Sequence, residues 1–246
     1  MTHRSGVRRR TAAILAALTV LGLAAAAPLP AQIGHAPDRS PYRDLITAQS
    51  LTFSLGHFSG NTAKAGVGWR GGSMYGVRLD TRLGGPIDLW VSVGLISSSR
   101  FKINTTLDTA TRKTGPFTRS LVPVDLGFVL NLTGAKTWHG LAPYVGFGAG
   151  ELLPTKSETD VGGYNAGVNF TMIPAIGTRI FFSPTLAARI EVRDYFFRYE
   201  WPLRYFDPVD SNNLSIRPAI LPYGEKDKQW VNNLTLTVGF VYGFNF

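Results

Sequence analysis

The stretch "NNLTLTVGFVYGFNF", residues 232–246, decides how this chain is read. Leu234, Leu236, Val238, Phe240, Tyr242, Phe244 and Phe246 occupy every second position, with Asn233, Thr235, Thr237, Gly239, Val241, Gly243 and Asn245 between them. Successive strand side chains point to opposite faces, so this is a β-strand with one apolar, aromatic-rich face and one mostly small or polar face. Chain ends are ordinarily polar and frayed. A strand that keeps its pattern up to a final phenylalanine needs a partner along its edge and an apolar medium against its oily face. A soluble sandwich and a membrane would each supply that medium, and the rest of the sequence separates them.

Working back along the chain, the period of two recurs in seven more segments. Leu51, Phe53 and Leu55 alternate with Thr52 and Ser54, and Tyr75 to Leu83 alternate with Arg78, Asp80 and Arg82. Leu89 to Leu95 follow, then Val122 to Leu132 set against Asp125, Gly127 and Asn131. Leu141, Val145, Phe147 and Ala149 face away from Gly146, Gly148 and Gly150; Tyr164 to Ile180 face away from Asn165, Asn169, Thr171 and Arg179; Leu186 to Val192 face away from Arg189, Glu191 and Arg193. Short connections (84–87, 133–140, 183–185) alternate with long ones (57–72, 100–119, 153–163, 200–228), the asymmetry of outer-membrane barrels. Gly and Pro in "GGPI" (84–87) make the first short connection a tight turn.

The N-terminus supplies the export signal. "MTHRSGVRRR" holds four arginines and no acid, and a 17-residue uncharged stretch and "PLPAQ" follow it. A basic segment, an apolar segment and small residues form a secretory signal peptide, expected over residues 1–31 with cleavage after Ala31. A transmembrane anchor is the rival, at the lower limit of spanning length. Removal of the leader takes four of the 25 basic residues and none of the 16 acidic ones, so the net charge falls from +9 to +5. That charge is no footprint for nucleic acid. Cysteine is absent, which excludes disulfides, thiolate metal sites and a lipid-modified N-terminal cysteine.

An exported chain that is 44% hydrophobic and 17% charged, with no further apolar run long enough for a helix span, has the closed barrel as its membrane solution. Sandwich strands bury their oily face and put Lys, Glu and Asp on the other. Here the second face is rich in Gly, Ser, Thr and Asn, side chains that fit a narrow barrel's interior. The register is set by cost: with the seventh strand flipped, Arg189 and Arg193 would meet lipid at about 2–4 kcal/mol each. The expected fold is an all-β, eight-stranded antiparallel up-and-down transmembrane barrel over residues 47–246, preceded by a periplasmic tail over 32–46. Ten strands would follow if 200–228 hid a hairpin, against which Pro202, Pro208, Pro218 and Pro222 argue.

Three stretches carry a family resemblance. "APYVGFGAG" (142–150) resembles the Pro-Tyr-x-Gly-x-Gly-x-Gly strand of small OmpA/OmpW-type outer-membrane barrels, and "ARIEVRDY" (188–195) resembles their penultimate strand, with Arg and Glu pointing inward. "VGFVYGFNF" (238–246) resembles the C-terminal signature of bacterial outer-membrane proteins. The resemblance covers about residues 47–246. It implies the outer membrane of a Gram-negative cell envelope, lipid as surroundings, and recognition of Val238, Phe240, Tyr242, Phe244 and Phe246 by the barrel-assembly machinery. It also implies a monomer whose external loop ligand is unknown.

With that register, Arg78, Asp80, Arg82, Asp88, Asp125, Arg179, Arg189, Glu191 and Arg193 all project into the lumen. An eight-stranded barrel holds side chains and little more, and unpaired charges there are costly, so an interlocked polar network that plugs the interior is expected. A narrow channel for small or hydrophobic solutes is the alternative, and a lipid-modifying enzyme is a second. For the enzyme, "GHFSGN" (56–61) places His57 near Ser59, loosely like lipid A deacylases, but no Asp or Glu lies between Asp44 and Asp80. No catalytic residue, cofactor site or metal site is expected; "SETDVGG" and "DPVDSNN" are too sparse in carboxylates for calcium. His139 reads as a solvated turn residue. The aromatic-rich loop 200–228, with Trp230 beyond it, is expected to pack over the barrel mouth.

Overall fold

The computed structural model describes residues 40–207 and 219–245. The expected signal peptide, residues 32–39 of the expected tail, Pro208, Pro218, most of "DPVDSNN" and Phe246 lie outside the described residues. The strands are β1 (Tyr42–Asp44), β2 (Gln49–Phe58), β3 (Gly72–Gly84), β4 (Ile87–Ile103), β5 (Lys113–Asn131), β6 (Lys136–Trp138), β7 (Leu141–Pro154), β8 (Asn169–Phe181), β9 (Leu186–Asp194), β10 (Phe197–Glu200), β11 (Lys228–Val231) and β12 (Leu234–Phe244).

Eight of these close a barrel in the order β2-β3-β4-β5-β7-β8-β9-β12, with every neighbouring pair antiparallel. The closing strand is the one quoted first: Val238 lies opposite Leu55 of β2 on one side and Ile190 of β9 on the other. Closure leaves the strand no free edge. Leu236, Val238, Phe240 and Tyr242 are exposed on the outer wall while Thr235, Thr237 and Val241 are buried within. The outer wall carries the same apolar residues on every strand, Leu126, Phe128, Phe147 and Ile176 among them. No helix among the described residues is long and apolar enough to cross a membrane.

Four local expectations are corrected. The connection 100–119 shrinks to 104–112, because β4 and β5 run on as a protruding ribbon beyond a bulge at Arg100–Lys102. Its polar residues form a strand all the same, since a ribbon above a membrane has water, not lipid, outside it. Residues 164–168 belong to no strand: Tyr164 and Ala166 are buried against the barrel mouth, and β8 begins at Asn169. The segment before the barrel and the turn 133–140 pair with each other as β1 and β6, Tyr42 opposite Trp138. Finally, the region around 200–228 does close a hairpin, β10 with β11. It lies outside the barrel, so the strand count stays at eight. Pro202 and Pro222 fall beyond its four-residue arms, consistent with proline's inability to donate to a ladder.

Candidate functional site

The nine inward charges gather in two groups inside the lumen. Six of them form one chain of contacts across the barrel: Asp125, Arg193, Glu191, Arg78, Asp80 and Arg189. Arg193 donates to Asp125 at 3.2 Å and to Glu191; Arg78 donates to Glu191 at 2.7 Å and to Asp80 at 2.6 Å; Arg189 donates to Asp80 at 2.8 Å. Three acids meet three bases, so the chain is neutral. Nearer the short-turn end, Arg179 donates to Asp88 at 3.2 Å and to Asn131, which in turn donates to Asp88 at 2.9 Å. Arg82 joins this second group loosely: its guanidinium pairs with Asp88 at 3.8 Å, and its hydrogen bond goes to the Leu45 carbonyl at 2.7 Å. All except Arg82 are buried.

Sequence reasoning missed the neutral members of this network. Trp90 and Ser92 donate to Asp125 at 2.8 and 2.5 Å, and Tyr144 donates to Glu191 at 2.8 Å. The Trp90 ring lies beneath two guanidinium groups, Arg78 at 4.6 Å and Arg193 at 5.6 Å, a cation–π arrangement. Room for the indole comes from glycine. A Cβ on Gly127 or Gly148 would come within 2.5 Å of the ring, and one on Gly146 within 3.0 Å. Parity was the available signal: Trp90 and Ser92 share the inward register of Asp88.

Above the charges the lumen turns apolar. Phe58, Met74, Ile96, Leu121, Leu152 and Ile173 point inward from six strands, and the long loops lay Trp69, Tyr164, Phe197, Tyr199, Trp201 and Tyr205 on top of them. The expected aromatic packing of the 200–228 region is thus divided: Trp201 and Tyr205 are buried, whereas Tyr223 and Trp230 are exposed. Buried polar groups hold the cap in place. Tyr205 donates to Asp160 at 2.5 Å, and Asp160 also accepts from the Tyr164 amide at 2.9 Å. Burial, then the bond to Asp160, push the Tyr205 hydroxyl well above the ordinary phenol range. Arg100, not singled out in the sequence, is buried beneath the cap and donates to the Glu158 carbonyl at 2.7 Å. One space within the charged layer is about 20 Å³, and a second of about 10 Å³ lies beside Asp80, Asp88 and Arg179. Each holds about one water.

The sequence pattern of the outer membrane protein beta-barrel domain matches residues 13–244. The chain belongs to that outer-membrane β-barrel family. Its place is therefore the bacterial outer membrane. No curated protein matches it in sequence. Among solved structures, it is similar to the outer membrane protein OprG from Pseudomonas aeruginosa, with 9% identity, 85% of this chain and 100% of that one covered, and a TM-score of 0.49. Neisserial surface protein A is similar at 11% identity, with 80% and 98% covered and a TM-score of 0.48. Likeness of this degree concerns the fold alone.

In an outer-membrane barrel the long loops face outward; here the apolar cap lies at the end of the barrel that carries the long loops and the β1–β6 pair at the end that carries the short turns. His57, the histidine of the catalytic alternative, is exposed on the outer wall, and His139 is exposed in its turn. Among the described residues no three metal-capable side chains converge. The loop between β7 and β8 is tied to the β4–β5 ribbon by Glu158, which accepts from Lys102 and from Arg119 at 2.9 Å. The bonds from Lys102 and Arg119 lower the Glu158 carboxyl from an ordinary 4.5 to about 2. A carboxyl depressed in the folded state contributes stability above its unfolded pKa and loses it as pH falls toward the folded value. Protease nicking at 155–159 is therefore expected to rise between about pH 4.5 and pH 2, and Glu158→Gln should show the fast rate already at neutral pH. Equal protection of both proteins across that window would rule out the tether.

Proposed function

We propose that this protein is a closed, non-conducting barrel whose work is done by its structured outer loops, as a structural or binding element of the outer membrane. The carrying observation is the interior: a neutral chain of six charges under an apolar cap, with two spaces beside the charges of about 20 and 10 Å³. A hydrated ion needs a continuous path wider than one water, and opening it here would strip Arg78 and Arg193 of their carboxylates. The proposal carries with it a leader cleaved after Ala31, a periplasmic segment up to residue 46, and the outer ridge Val238, Phe240 and Tyr242 as the surface read during assembly. The placement of His57 on the outer wall, away from the charged lumen, supports a role without catalysis.

The test is single-channel recording with residues 32–246 folded into planar bilayers, with circular dichroism as the check on folding. A flat current trace at all holding potentials is the expected result. Discrete, reproducible steps would overturn the closed-lumen proposal and make the charged chain the lining of a pore.

A further inference from the structure

The barrel wall is incomplete at one place. β8 pairs with β9 from Phe181–Ala187 up to Ala175–Arg193, and in the same register Met172 and Phe196 exchange hydrogen bonds at 2.9 Å each. There the ladder stops. Two residues further, Phe170 would face Arg198, but the chain has left the wall as the β10–β11 hairpin. The cause lies in the cap: Phe197 and Tyr199 turn inward, and Tyr199 accepts from the Trp69 amide at 2.9 Å, which draws the hairpin over the barrel mouth. Between the upper edge of β8 and the hairpin lies a cavity of about 450 Å³.

Its two walls differ in chemistry. On the β8 side Val168 and Phe170 are 58% and 62% exposed and continue the outer apolar face. From Ile180 up to Phe170 that face spans roughly 25 Å at ordinary strand rise and tilt, the height of a barrel's apolar band, so the cavity opens where lipid meets water. On the hairpin side Trp230 is half exposed and its indole is stacked on Phe196 at 4.9 Å. The polar groups are Asn165, Asn169, Arg198 and Glu200. Arg198 donates to Glu200 at 2.7 Å, so the two charges that line the cavity neutralise each other; Lys228, 3.9 Å from the same carboxylate, lies outside the lining. Asn165 accepts from Ser157 through its carbonyl at 2.5 Å, which leaves its amide hydrogens pointing elsewhere. Amides, a neutralised carboxylate and an indole suit hydroxyl groups on a ring that has apolar faces. A phosphate would require unpaired cations.

We infer that this lateral cleft binds the glycosyl head group of an outer-leaflet lipid, with the head against Trp230, Asn165 and Glu200 and the acyl chain over Val168 and Phe170. The inference rests on the outward orientation of the loops but not on whether the lumen conducts. Gly167 provides the means to fill the cleft, because a Cβ there meets nothing within 4 Å.

The experiment uses the chain 32–246 folded in phosphatidylcholine bicelles and follows the Asn165 side-chain amide by NMR. The probes are dodecyl maltoside, dodecylphosphocholine of the same chain length, and free maltose. Saturable shifts with the maltoside, about tenfold weaker in both Trp230→Ala and Gly167→Trp, are the expected result. An unchanged backbone spectrum for Gly167→Trp verifies that the barrel is intact. Saturation by dodecylphosphocholine at the same concentration, or unaltered affinity in Gly167→Trp, would overturn the site. Free maltose binding as tightly as the maltoside would overturn its assignment to a lipid. A conducting barrel that still binds the maltoside would sink only the closed-lumen proposal.

Discussion

Glu191→Ala is expected to destabilise the folded barrel by about 3–5 kcal/mol, the cost of breaking a buried charge pair from one side. Glu191 accepts from Arg78 at 2.7 Å, from Tyr144 at 2.8 Å and from Arg193. Its removal leaves two buried guanidinium groups that share one carboxylate fewer and a tyrosine hydroxyl without its acceptor. Glu191→Gln retains part of the hydrogen bonding and should fall between the two. Denaturant unfolding in micelles, followed by tryptophan fluorescence and by the gel shift of the folded barrel, measures the difference. A midpoint equal to that of the parent protein would show that water, not Glu191, compensates the arginines. Coupling is part of the expectation: Arg78→Ala combined with Glu191→Ala should cost less than the sum of the single changes, since the two side chains touch.

The second large effect is steric. Gly148→Val puts a Cβ 2.5 Å from the Trp90 ring and 2.6 Å from the Leu126 carbonyl. The indole is held from the other side by its bond to Asp125 at 2.8 Å and by Arg78 over its face, so it cannot swing away without leaving an acceptor unpaired. Overpacking and a lost buried hydrogen bond together amount to about 3–5 kcal/mol. The expected outcome is a poor yield of folded barrel and a red-shifted tryptophan emission. Trp90→Leu in the same chain removes the obstacle and should recover part of the loss. If Gly148→Val alone folds like the parent, the glycines of β7 serve some other end.

The glycine-rich strand shows how far sequence reading reached. "APYVGFGAG" is recognisable as a barrel strand from its alternation and its family resemblance, and Gly146, Gly148 and Gly150 as inward-facing from parity. Nothing local showed that Gly146 and Gly148 make room for Trp90, some sixty positions earlier. The charged network was legible in the same partial way. Each of the nine residues could be assigned to the lumen because an arginine facing lipid is costly. The pairing order of Asp125, Arg193, Glu191, Arg78, Asp80 and Arg189 could not be read, nor the turn of Arg82 toward the Leu45 carbonyl. The cap was less legible still. Tyr164 and Ala166 keep the period of two that marks a strand, yet they pack into the barrel mouth, because alternation continues wherever extended chain lies against an apolar surface.

What the sequence by itself determined is the sidedness of this protein. A period of two is a property of neighbouring residues and sorts each barrel strand into two faces; the small and charged residues on one of them, costly in lipid, mark it as the inward face. Only the tertiary structure decided which inward groups meet. Arg78 and Glu191 stand 113 positions apart and touch because closure of β12 onto β2 and the stagger of the strands bring them to one level. The same holds for the cleft beside β8. It exists because Phe197 and Tyr199 are drawn into the cap, a packing preference between distant aromatics to which local alternation is blind.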